Sequence, residues 1–139
     1  MKPARILANL VGMMLFVQVI LGGGAVLLGW DVSYHLAWGL ITFIVLIIAT
    51  VFAVRTYGRS SNIFKVGIAA IIDYIIQIIL GFVALNNSAN FGYTVVTHLT
   101  NAFVLGVFTT YFISFADSAE KTGTVTVKRP MTTTQPMGT

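Results

Sequence analysis

"QVILGGGAVLLG" at residues 18–29 is answered by "QIILGFVAL" at residues 77–85. Each stretch is followed, after a short polar interruption, by a histidine and a leucine: "YHL" at His35 and "THL" at His98. A single Gln-x-Ile-Leu-Gly matches other apolar sequence by chance, but its return at the same place ahead of the same His-Leu marks a duplicated unit. Each unit holds two apolar runs, so the chain reads as two copies of one helical hairpin.

The runs define the solvent. Residues 6–29, 34–54, 66–85 and 92–115 each approach the ~20 residues that a helix needs to cross the hydrocarbon. The whole chain of 139 residues is 57% apolar and 9% charged, with a mean hydropathy of +0.91. The expected fold is all-α: an integral membrane four-helix bundle over residues 1–115, followed by a flexible, polar, threonine-rich tail over 116–139. The first run is longer than the ~7–15 residues of a signal-peptide core and is expected to stay as a membrane helix. Cysteine is absent, which excludes disulfides, thiolate metal sites and cysteine nucleophiles. No phosphate loop, paired carboxylates or nucleophile–base–acid set is present, which argues against hydrolases and nucleotide-driven machines.

Charge reports orientation. Lys2 and Arg5 precede the first run, Arg55, Arg59 and Lys65 lie between the second and third, and Lys121, Lys128 and Arg129 follow the fourth. The connections "WDVS" and "NNSANF" contain no Lys or Arg. By the positive-inside rule this is a multi-pass protein of the cell membrane with both termini cytoplasmic. The basic residues are thereby accounted for, with lipid and not nucleic acid as the partner. Trp30, Tyr34, Trp38 and Tyr93 fall near the outer boundary, where aromatic residues anchor spans.

His35 and His98 are costly in such surroundings. With the second helix capped at Asp31 and the fourth starting near Gly92, the two imidazoles lie about 6 and 9 Å inside their helices, at similar depth. Small residues share that layer: Gly39 at i+4 from His35, Ala102 and Gly106 at i+4 and i+8 from His98, and Gly22 and Gly81 on the neighbouring helices. Hydrogen bonds between helices would account for each histidine singly. Together they make an incomplete zinc site but a complete axial pair for the iron of a haem b, whose other four ligands come from the porphyrin. Glycine and alanine would then clear the haem faces.

Asp73 is the only carboxylate inside a span, about 10 Å from the cytoplasmic end of its helix, with Gln77 and Gly81 on the same face. It suits a proton-carrying or quinol-binding role with Gln77, or a structural bond to Thr50 or Thr109. Gln18 and Gln77 are expected to pair with each other at mid-membrane.

The glutamine-led "Q-x-I-L-G" in the first helix of each hairpin, with one histidine near the outer end of each following helix, resembles half of a haem A synthase. That family oxidises a methyl group of haem O to give haem A, and is built as two four-helix bundles, each with a haem between two histidines. The resemblance implies one such bundle here, haem O as substrate, and a homo-oligomer to bring redox haem and substrate haem together. Val32 stands where the family's catalytic bundle has a glutamate and Leu36 where it has an arginine, and the outer cysteines are missing. Asp31 is the nearest carboxylate to that catalytic position. A b-type cytochrome subunit of a respiratory oxidase complex and a haem-free accessory subunit remain alternatives, as does a small transporter built on repeats.

Overall fold

The computed structural model describes residues 3–125 as four helices: α1 (Pro3–Leu28), α2 (Val32–Tyr57), α3 (Asn62–Asn86) and α4 (Phe91–Val125). A 3-10 turn at Ser88–Asn90 leads into α4. Their boundaries have local causes. α1 stops where Gly29 takes φ +69°, a left-handed conformation that suits glycine, and α2 stops at Gly58 with φ +83°. Asp31 caps α2 by accepting the Ser33 N–H at 2.9 Å, and Ser61 caps α3 by accepting the Phe64 N–H at 3.3 Å.

The helices pack as a ring, α1 against α2, α2 against α3, α3 against α4 and α4 back against α1. Consequently α2 and α4, which carry the histidines, stand on a diagonal. All four helices are long and apolar enough to cross a membrane. Large apolar side chains point outward, with Phe16 at 69%, Leu27 at 81% and Phe103 at 72% exposure. Such a surface requires lipid, and the chain is a multi-pass membrane protein.

The interior has two halves. Toward the end that holds the α2–α3 connection, Ala8, Val11, Leu46, Ala49, Ala53, Ile63, Ala70 and Phe112 are buried together. Alanine dominates because membrane helices gain most from close backbone approach. Gly67 shows how close: a Cβ there would lie 2.7 Å from Thr50 Oγ1 and 3.1 Å from the Phe112 ring. Toward the other end, where α1 turns into α2 and α3 into α4, the axis is polar.

α4 continues ten residues past Phe115, to Val125. Arg5 on α1 forms an ion pair with Asp117 and reaches Glu120 at 3.5 Å, so one cation holds two carboxylates that lie on one face of α4. Lys2 and residues 126–139, with the remainder of the expected tail, lie outside the described residues.

Candidate functional site

Each hairpin builds the same small unit from its glutamine, glycine and histidine. On α1, Gly22 leaves the space that the His35 ring fills: a Cβ at Gly22 would lie 2.8 Å from Cε1 and 3.0 Å from Nδ1 of that imidazole. On α3, Gly81 does the same for His98, with Cε1 at 3.2 Å from such a Cβ. Four residues earlier on each helix, the glutamine amide meets the ligand-type nitrogen. Gln18 Nε2 is 3.3 Å from His35 Nε2, and Gln77 Nε2 is 3.2 Å from His98 Nε2. The recurring Gln-x-Ile-Leu-Gly is therefore a saddle for the histidine of the next helix.

Hydrogen-bond logic fixes the tautomers. The Gln18 carbonyl can only accept, so His35 Nδ1, 3.1 Å away, carries its proton and donates it there. Gln18 Nε2 donates to the His35 carbonyl at 3.0 Å, which orients the amide and points its second N–H at the Nε2 lone pair. In the second hairpin Asn101 Nδ2 donates to the Asp73 carbonyl at 3.4 Å and to Gln77 Oε1 at 2.9 Å. Gln77 must then present its NH2 to His98 Nε2, leaving the proton of His98 on Nδ1. That Nδ1 is buried without a hydrogen-bond partner. Both imidazoles are thus neutral rings with a lone pair on Nε2, the tautomer that binds metals when Nδ1–H is turned to a carbonyl.

The two units meet on the bundle axis. The His35 and His98 ring centroids are 6.1 Å apart with planes at 76°. The contact is edge-on, and each Nε2 faces the glutamine amide of its own hairpin. Among the described residues no group of three or more His, Asp or Glu is placed to hold a metal ion. The residues that could hold a metal here are the two imidazoles.

The remaining small residues are placed differently from the sequence expectation. Gly39 is covered by the Gln18 amide, 2.7 Å from a Cβ at that position, and its carbonyl accepts the Tyr74 hydroxyl at 2.9 Å. Gly106 is exposed with nothing near it, and Ala102 is half-buried. The clearance around the histidines comes instead from Gly22 and Gly81. In "GGGA", the three glycines divide the work: Gly22 receives His35, Gly24 lies under the Trp30 ring, and Gly23 faces open space.

Other expectations change likewise. The two glutamines do not pair with each other; each holds the histidine of its own hairpin. Thr50 and Thr109 donate to carbonyls of their own helices, at Leu46 and Leu105. Asp73 meets Asn101, whose amide donates to the Asp73 carbonyl. Trp38 is tied into the bundle, its Nε1–H donating to the Met14 carbonyl at 2.9 Å. Asp31 is exposed at the α1–α2 turn, and the Ser33 backbone N–H holds its carboxyl below the usual carboxylate range.

Asn101 is the residue that sequence reading missed, and the repeat contained its signal. It stands three residues after His98, and its donor reaches the residue four before Gln77. Trp38 stands three after His35, and its donor reaches the residue four before Gln18. One interhelical bond is therefore made twice by different side chains.

Compared with known protein families, curated proteins and solved structures, the chain shows no match.

Proposed function

We propose that this chain is a membrane haem protein of the haem A synthase type, in which His35 and His98 are the axial ligands of one haem b. The observation that carries the reading is the meeting of two Nε2-basic imidazoles, from repeat-related positions on diagonal helices, with ring centroids 6.1 Å apart. Gln18, through its carbonyl, holds the His35 ring by Nδ1–H, as backbone carbonyls orient histidines that bind metals. The glutamine amides cap the Nε2 lone pairs and would have to turn aside for those nitrogens to hold an iron. Gly22 and Gly81 give the imidazoles room to turn, and the apolar half of the bundle keeps water from the axis.

When bound, haem supplies one-electron redox chemistry at its iron, with the potential set by axial ligands and burial. One histidine pair holds one haem. Oxidation of the haem O methyl group requires a redox haem as well as the substrate, so activity needs a homo-oligomer, with Asp31 the polar group at the mouth of the site. The positive-inside rule puts both termini and Arg59 in the cytoplasm, and Asn87 outside. Cysteine labelling at those two positions tests this, since outside labelling at residue 59 would reverse it.

Reduced-minus-oxidised spectra of the purified protein test the ligands. Sharp low-spin bands that vanish in both His35→Ala and His98→Ala are expected. A colourless protein that gains no such bands with added haem overturns haem binding. Co-expression with a source of haem O, followed by mass analysis of extracted haems, tests the reaction. Haem A should form and should require both histidines. A fully haem-loaded protein without haem A would instead be an electron-transfer cytochrome b.

A further inference from the structure

Asn101 faces two ways. Inward it donates to Gln77 Oε1 and the Asp73 carbonyl. Outward it floors a cleft between α3 and α4, open at the lipid-facing surface, lined by Leu80, Val96, Thr97, Thr100 and Val104. The volume is about 290 Å³. That is near the lower end of the roughly 300–1,000 Å³ of small-molecule sites, enough for one substituted ring and too little for a porphyrin.

The lining decides the chemistry. Leu80, Val96 and Val104 make apolar walls, as access from lipid requires. Thr97 and Thr100 donate their hydroxyl protons to the Tyr93 and Val96 carbonyls, so each hydroxyl oxygen keeps lone pairs and accepts. Behind Asn101 lies Asp73, 7% exposed, with Oδ2 buried and unpartnered. Asp73 does not itself line the cleft, so an occupant meets the Asn101 amide and the two threonine hydroxyls. No Lys or Arg lines the cleft, so an anionic head group has no counter-charge there. An acyl chain would satisfy the walls and leave the polar floor unmet.

We infer that this cleft binds the ring of a quinol-class lipid, a neutral apolar-tailed molecule whose hydroxyl groups donate to the threonine and Asn101 side-chain oxygens. The tail runs out along Val96 and Val104 into the bilayer. None of the lining residues is His35 or His98, and the cleft touches that pair only through Asn101, which orients the Gln77 amide beside His98.

Photolabelling of the intact protein in nanodiscs with a diazirine-tagged ubiquinol, held reduced under argon, tests it, with adducts located by peptide mass analysis. The expected result is adducts confined to Leu80 and residues 96–104, competed by decylubiquinol. Asn101→Leu removes the polar floor and should weaken competition roughly tenfold, the effect of one lost hydrogen bond in a dry site. Val104→Trp fills the cleft from the lipid side without touching the polar interior and should abolish the labelling. It decides the matter if Asn101→Leu does not fold. Adducts spread over all four lipid-facing surfaces, labelling that decylubiquinol does not compete, or labelling unchanged in Val104→Trp would overturn the assignment and leave an acyl chain as the occupant. None of these outcomes depends on haem.

Discussion

Gly22 and Gly81 occupy the same place in the repeat, yet the clearances above them differ, and the difference makes a test. A methyl group at Gly22 would sit 2.8 Å from a rigid imidazole that is bonded on both nitrogens, whereas at Gly81 the nearest approach is 3.2 Å to a ring whose Nδ1 is unbonded. Gly22→Ala should therefore cost on the order of 1–3 kcal/mol by overpacking, and Gly81→Ala less, because His98 can shift by a few tenths of an ångström. Detergent-unfolding midpoints of the two variants check the order. The converse order would mean that the imidazoles, not the glycines, yield. At this scale the sequence was informative about which residues matter and silent about why. Glutamine, glycine and histidine stood out because they recur, but recurrence does not say that the glutamine's partner is the histidine. Both side chains are long enough to meet several neighbours, and only the helix rotation within each hairpin selects one.

Helix ends show the same division. Asp31 was legible as a cap because its side chain acts two residues away, within reach of local reading. Its carboxyl is held below the ordinary value by the Ser33 N–H, so the cap is fully formed above the unfolded carboxylate range and is lost as pH falls through the lowered folded value. Protection of the Ser33 amide against hydrogen exchange should fall on acidification in the native chain. Asp31→Asn should keep the cap and lose that pH dependence. The C-terminal part of α4 was not legible. Residues 116–125 are polar on their own terms, and the cation that organises them, Arg5, is 112 residues from Asp117. Their side chains are about a third exposed, so the ion pair contributes at most about 1 kcal/mol. Arg5→Ala should loosen α4 beyond Phe115, seen as faster exchange and proteolysis there, while the bundle itself persists.

The whole molecule divides along its repeat. Within a hairpin, the glutamine holds the histidine, and a side-chain donor three residues past that histidine reaches back across the pair: Trp38 to Met14, and Asn101 to Asp73. Between hairpins, α1 meets α4 and α2 meets α3 largely through small and apolar residues, with the Arg5 ion pairs at one end. The four spans, their order and the duplication were readable because lipid imposes length and hydropathy on each helix separately. The axis was not, since it depends on how the two hairpins rotate against each other. This arrangement predicts a chain that survives being cut. Fragments 1–58 and 60–139, co-expressed, each keep a complete Gln-Gly-His unit, and membrane helices are stable before they associate. They should co-purify at equal stoichiometry and restore the His35–His98 pair, so that whatever spectrum the intact protein gives is regained by the pair and by neither fragment alone. Placing Leu at Gly67, where a Cβ already crowds Thr50 and Phe112, should block that reassembly by forcing α2 from α3. Fragments that fail to co-purify would show that the α2–α3 connection, and not the packing between hairpins, brings the two histidines together.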